Sequence, residues 1–180
     1  MLNDQELIMQ FKQPSQKEAA FTQLLKRHQQ KVYYQIKRMV TEHADADDIA
    51  QQVWIKVWNK LDGFKMESEF ATWVFRIAYN ETINFIQKSK KMGLQHVNEN
   101  NTHYENAAGG QDSPKAVQIE IVLNEAIKQL PEKQRFVFML RYFEEMNYEK
   151  IASITGTTVG GAKANFHQAL KKMEEMIKGH

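Results

Sequence analysis

The chain has 180 residues, 24 basic and 22 acidic side chains, a formal net charge of +2 and a hydrophobic share of 42%. That length suits one ordinary domain or two small ones, and so small a net charge names no partner; only the distribution of charge can. With no cysteine there is no disulfide or thiolate metal site, and with no leader-like or membrane-spanning apolar run the expectation is a cytoplasmic protein without direct membrane insertion.

Only three prolines and eight glycines punctuate the chain. Helical periodicity recurs throughout and strand-like alternation is hard to find, so the expected fold class is all-α. Residues 1–16 carry no assignment. Residues 17–41 place Phe21, Leu24, Leu25, Val32, Ile36, Met39 and Val40 at helical spacings, an amphipathic helix. Asp45, Asp47 and Asp48 crowd the start of a second helix, where carboxylates favour the positive end of the dipole. Its apolar pairs run through Val53/Trp54 and Val57/Trp58 to Leu61, and a loop, DGFKMES at 62–68, follows.

The next stretch, FATWVFRIAYNETINFIQKSKK at 70–91, is helix-like but carries too many rings for one buried stripe. Phe70, Trp73, Phe75, Tyr79 and Phe85 cannot share a face at about 100° per residue. Arg76, Asn80 and Asn84 stand four apart and form a polar ridge among those rings, and Lys88, Lys90 and Lys91 close the helix. An ordinary core helix with a solvated tail is the plain alternative.

Residues 92–114 contain no Lys or Arg, four Asn and three Gly. This composition predicts a flexible linker between helical domains at 1–91 and 115–180. After Pro114, Val117, Ile121, Leu123, Ile127 and Leu130 mark a helix, and Pro131 is placed to start another through Phe136, Val137, Leu140 and Phe143.

The segment YEKIASITGTTVGGAKANFHQALKKMEEMIK at 148–178 predicts a helix-turn-helix. Ala152 keeps the crossing close, and Gly156 supplies a positive φ for the turn. Val159, Ala162, Phe166, Ala169, Leu170, Met173 and Ile177 mark the buried stripe of the second helix. The opposite face presents Thr158, Lys163, Asn165, His167 and Gln168, residue types that pair with adenine, guanine or phosphate in a major groove. Lys171 and Lys172 suit phosphate or a solvated face equally. A helical hairpin without DNA contact is the plain alternative here.

Three blocks carry a family resemblance: DADDIAQQVWIKVWNKLDGF (45–64), SEFATWVFRIAYNETINFIQ (68–87) and LNEAIKQLPEKQRFVFMLRYFEEMNYEKIASITG (123–156). In this order they resemble the sigma-70 family of bacterial RNA polymerase initiation factors, and most of all its small extracytoplasmic-function (ECF) group. The resemblance implies two helical domains on a tether, with the polymerase supplying all catalysis. It implies core RNA polymerase and promoter DNA as partners, an anti-sigma protein as a further one, no cofactor or metal, and a monomer when free. Block 45–64 corresponds to the clamp-binding helix, with Asp48, Gln51 and Gln52 on its polar edge. Loop 62–68 and the helix from Phe70 correspond to the element that melts and reads the −10 promoter sequence. Phe64 would line a pocket for an unstacked base, Lys56, Lys60 and Lys88 would face the strand backbone, and Arg76, Asn80 and Asn84 would meet base edges. Trp73 would prop the loop. The −35 element would fall to Thr158, Lys163, Asn165, His167, Gln168 and Lys171.

The second helix of the C-terminal motif departs from the family pattern. Gly161 and Ala162 stand where a hydroxyl and a valine are common, and Asn165 and Gln168 where arginines are frequent. Fewer cations predict weaker, less salt-dependent −35 binding. A stand-alone helix-turn-helix regulator would explain 115–180 but leave 45–91 idle. A helical adaptor would explain the near-neutral charge but not the glycine spacing together with the amide ridge. An enzyme has no phosphate-cradling loop, metal cluster or Cys nucleophile to rest on.

Overall fold

The computed structural model describes residues 2–93 and 114–178, with side chains from residue 122 onward in the second stretch. Nearly all of the predicted linker therefore lies outside the described residues. Among the described residues there are eight α-helices and no strand. They are α1 (Asp4–Phe11), α2 (Lys17–Lys37), α3 (His43–Lys60), α4 (Phe70–Lys91), α5 (Pro114–Gln129), α6 (Glu132–Tyr142), α7 (Tyr148–Thr155) and α8 (Val159–Lys178). A short 3-10 turn, Leu61–Gly63, ends α3.

Helix α1 is the element the apolar pattern left unassigned. It starts on a capping box: the Glu6 N–H donates to Asn3 Oδ1 at 2.9 Å, and the Asn3 N–H donates to Glu6 Oε2 at 2.7 Å. Leu7, Ile8 and Phe11 are buried. Arg27 holds both Asp4 and the Leu2 carbonyl, so α1 is fastened to α2. Eight residues are too few for a helix to be stable alone, and the buried face supplies what propensity cannot.

Helices α2, α3 and α4 bury Leu24, Ile36, Val53, Val57, Val74 and Ala78 in a common core with α1. Helix α2 stops at Lys37, short of the expected 41; the chain turns there, and the Met39 carbonyl accepts from Arg135 Nη1 at 3.3 Å. In the C-terminal half α6 is buried along Phe136–Leu140, beneath α7 and α8. Asn147 caps α7 by accepting from the Lys150 N–H at 2.9 Å. Gly156 ends α7 at φ 65°, the left-handed turn expected of it, and the Thr157 N–H closes on the Ala152 carbonyl at 3.1 Å. On α8, Ala162, Ala169 and Met173 are buried, while Val159, Phe166 and Leu170 pack at the edge of the core. Ile177 was expected in the stripe but is 46% exposed; beyond Met173 the side chain that packs on the core is Met176, one position round the helix.

The two halves touch. The Tyr79 ring lies 4.7 Å from Phe136 at 66°, and the Arg38 guanidinium lies 3.9 Å over Phe143. Helix α7 rests on α4, and charged pairs cross the seam at Lys31–Glu144 (3.3 Å), Lys150–Glu69 (2.7 Å) and Lys90–Glu132.

Candidate functional site

On α3, Asp48, Gln51 and Gln52 are all exposed. Their spacing puts them on one helix face, and Ile55, three residues past Gln52, continues it at 46% exposure. Ile55 was not singled out by sequence reasoning; its position one turn beyond the polar pair was the available signal. Trp54 and Trp58 turn inward instead. Trp58 packs edge-on against Phe11 at 5.1 Å and Phe21 at 5.0 Å, and Trp54 against Phe21 at 6.2 Å. Of the three aspartates, Asp45 is half-buried in the first turn. Asp47 accepts a hydrogen bond from Tyr33, whose hydroxyl pKa is raised by burial and then by that carboxylate. Asp47 and Asp48 are both exposed, and Asp48 stands one turn before Gln51 and Gln52 on the amide edge.

Phe64, expected in a flexible loop, is 7% exposed. Its ring lies 4.7 Å from Trp73 and 6.3 Å from Phe70, and Trp73 thus props the loop from below. Two residues on, Met66 is left-handed at φ 59°, which costs a non-glycine residue about 1–2 kcal/mol and bends the loop sharply. Cavities open on both sides of this ring. One, of about 690 Å³, has Lys60, Lys65 and Arg76 on its walls together with Asn59 and Trp73. The other, of about 400 Å³, is bounded by Phe64, Met66 and Phe70, by the cap residue Asn3 and by Asp4 and Gln5 of α1. Phe64 and Ser68 line both. Lys65 was missed by sequence reasoning although it adjoins Phe64. The α1 residues carried no signal, since nothing in their pattern places them against a loop sixty residues away.

Lys56 is tied to Glu81 at 2.6 Å, which orients it along α4. Asn80, Asn84 and Lys88 are exposed on α4, and Arg76 donates to Ser153 of α7. The structure therefore gathers Lys60, Phe64 and Arg76 around one cavity, with Asn80, Asn84 and Lys88 further along the same helix.

On α8 the expected groove face is divided. The Thr158 hydroxyl accepts from the Gly161 N–H at 3.0 Å and so caps the helix. Asn165 is half-buried, its amide donating to the Gly161 carbonyl at 2.9 Å. Gln168 accepts from Gln134 at 2.7 Å. Lys163 is exposed and lies 5.8 Å over the Tyr148 ring, which also meets the Arg141 guanidinium at 5.1 Å and the Phe166 ring at 6.1 Å. His167 and Lys171 are exposed, and Lys172 is half-buried.

Two titrating groups at the seam are perturbed by their surroundings. The hydrogen bond from Lys90 holds the Glu132 carboxyl below its usual range, against the opposing effect of burial. Burial lowers the Arg135 guanidinium, which is held by the Lys128 and Leu130 carbonyls at 2.6 and 3.1 Å.

Two family models match in sequence order: Sigma-70 region 2 over residues 24–92 and Sigma-70 region 4 over residues 121–173. Together they span more than half of the chain, and every candidate site residue placed above on α3, α4 and α8 falls within them. Similar curated proteins include the ECF RNA polymerase sigma factor SigW of Bacillus subtilis, 26% identical over 88% of this chain and 89% of that one. The RNA polymerase sigma-H factor of Pseudomonas aeruginosa is 28% identical over 97% and 93%. The ECF RNA polymerase sigma-E factor of Escherichia coli is 28% identical over 98% and 95%. Among solved structures, CnrH in complex with the cytosolic domain of CnrY aligns with a TM-score of 0.72 and 20% identity, covering 98% of this chain and 97% of that one. The sigma factor RpoE in complex with the anti-sigma factor NepR from Bartonella quintana also aligns at 0.72, with 24% identity over 88% and 96%. These two likenesses establish the fold.

Proposed function

This chain belongs to the sigma-70 family, in its ECF group, and from that premise we propose how its surfaces divide the work of promoter-specific transcription initiation. The edge Asp48, Gln51, Gln52 and Ile55 of α3 docks on core RNA polymerase. An acidic, amide-rich edge with one exposed aliphatic side chain suits a basic helical partner. The −10 strand is held at the loop 62–69. Lys60, Lys65 and Arg76 attract its phosphates, Phe64 and Trp73 provide the aromatic floor, and Asn80 and Asn84 meet base edges. The −35 duplex is met by α8 through Lys163, His167 and Lys171.

The observation that carries this reading is the basic cavity of about 690 Å³ beside Phe64, which opens at one end of the Arg76–Asn80–Asn84 ridge on α4. A stand-alone helix-turn-helix regulator has no use for it. No catalytic step is assigned to the chain itself, and the polymerase supplies the chemistry. The working compartment is the cytoplasm. Among the described residues no helix is long and apolar enough to cross a membrane. An anti-sigma protein is proposed as the inhibitor of the free factor, by analogy with the RpoE complex.

The deciding experiment is co-purification with bacterial core RNA polymerase, with Asp48→Arg/Gln52→Arg as the control. Binding by the native chain and its loss in the folded double variant is the expected result. A folded native chain that ignores core polymerase but binds duplex DNA would replace this reading with the stand-alone regulator.

A further inference from the structure

Between α2, the start of α4 and the loop that joins α6 to α7 lies a cavity that the proposed polymerase and DNA contacts leave unused. It holds about 440 Å³, the size of a small-molecule site. Val32, Phe75 and Met146 give it an apolar side, and charges of both signs line the rest.

Two polar groups in its wall are uncommitted. Thr72 is 4% exposed and lines the cavity, and its hydroxyl has no hydrogen-bond partner among the described residues. A buried hydroxyl of this kind is satisfied by whatever fills the space before it. Glu145 also makes no hydrogen bond or ion pair among the described residues. Its backbone is left-handed at φ 51°, an unfavourable conformation for any residue but glycine, and it carries a free carboxylate to the cavity. Two cations stand nearby with donors to spare. Lys31 pairs with Glu144 at 3.3 Å, and Lys150 with Glu69 at 2.7 Å. An ammonium has three N–H groups, and each of these pairs uses one.

We infer that this cavity binds a small zwitterion, a free amino acid with an apolar side chain. Its ammonium meets Glu145, its carboxylate takes the spare donors of Lys31 and Lys150, and its side chain lies against Val32, Phe75 and Met146. The Thr72 hydroxyl bonds the ligand at the buried end. The charge of the walls selects this class. Glu69, Glu144 and Glu145 repel a phosphate or another plain anion, while Arg27, Lys31 and Lys150 repel a plain amine. A molecule carrying both signs meets a partner for each. The inference does not depend on the roles proposed for α3, α4 and α8. Because the walls come from both halves, a bound molecule also raises the resistance of the chain to unfolding.

The test is titration calorimetry of the full chain with free leucine, methionine and phenylalanine at pH 7, with the melting temperature followed in parallel. At least one of the three should bind with a Kd of about 1 mM or tighter and raise the Tm. The N-acetyl and carboxamide forms of that amino acid each lack one charge, and each should bind about tenfold more weakly or worse. Glu145→Gly removes the carboxylate and relieves the left-handed backbone, so it should weaken binding about tenfold with a ligand-free Tm no lower than the parent's. Thr72→Val deletes a hydroxyl that has no partner to lose, so it should weaken binding about threefold at unchanged Tm. Failure of all three amino acids to bind would overturn the inference. So would equal binding of a singly charged form. Unchanged affinity in both variants would place the bound molecule elsewhere on the chain and overturn it as well.

Discussion

Helices α4 and α8 carry similar polar residues and use them differently. On α4, Asn80, Asn84 and Lys88 stand exposed along one side. On α8, Thr158 caps the helix, Asn165 bonds to the Gly161 carbonyl and Gln168 to Gln134. A side chain already bonded within its own half must break that bond before it can read a base, so its net gain from DNA is small. Recognition capacity is therefore a matter of uncommitted donors and acceptors, not of how many polar residues face outward. By that measure we propose that the N-terminal half carries most of the base-reading power, and that α8 contributes mainly charge through Lys163 and Lys171.

The largest expected effect probes the aromatic floor on which the α4 side depends. Phe64→Ala should cost about 3 kcal/mol of stability in denaturant unfolding and abolish promoter opening, with Phe64→Leu retaining most of the stability and little of the opening. If Phe64→Leu opens promoters normally, the ring is packing alone. Next comes a direct contrast between the two helices. Asn80→Ala should weaken promoter opening about tenfold at unchanged polymerase affinity, whereas Asn165→Ala should change −35 duplex affinity less than about twofold. Equal losses would erase the distinction drawn here. A smaller effect concerns salt. Lys163→Ala and Lys171→Ala should each lower the log–log salt slope of −35 binding by about one, whatever the duplex sequence. The smallest is an acid effect at the seam. Lys90 holds the Glu132 pKa below its ordinary value of 4.5, so the pair's contribution is present above that pH and lost as pH falls through the lower folded value. Arg135 and Tyr79 also face Glu132; neither changes charge in this range. Stability in denaturant unfolding should therefore lose this contribution as pH falls from about 5, and Glu132→Gln should reduce the acid dependence, leaving the part due to the Lys31–Glu144 and Lys150–Glu69 pairs.

Much of this arrangement was legible because it is local. Gly156 stands where a helix must end in a left-handed residue, and it does so at φ 65°. The spacing of Asp48, Gln51 and Gln52 places them on one face of α3 before any contact is known. The same periodicity could not say that Trp54 and Trp58 turn toward Phe21, because that depends on α2 lying alongside. Nor could it say that Asn165 bends back on its own helix, since the exposed and the bonded rotamer suit the same pattern.

By itself, then, the sequence determined the helical character of the chain, the helix-turn-helix and the polar edges of α3 and α4, for these follow from repeats of three and four residues along one backbone. Only the tertiary structure decided that α1 would fold and wall a cavity beside Phe64. Only it set α7 on α4 with Arg76 against Ser153, a contact between residues 77 apart in sequence. Such pairings are set by which surfaces bury well against each other, and no periodicity within a single helix carries that information.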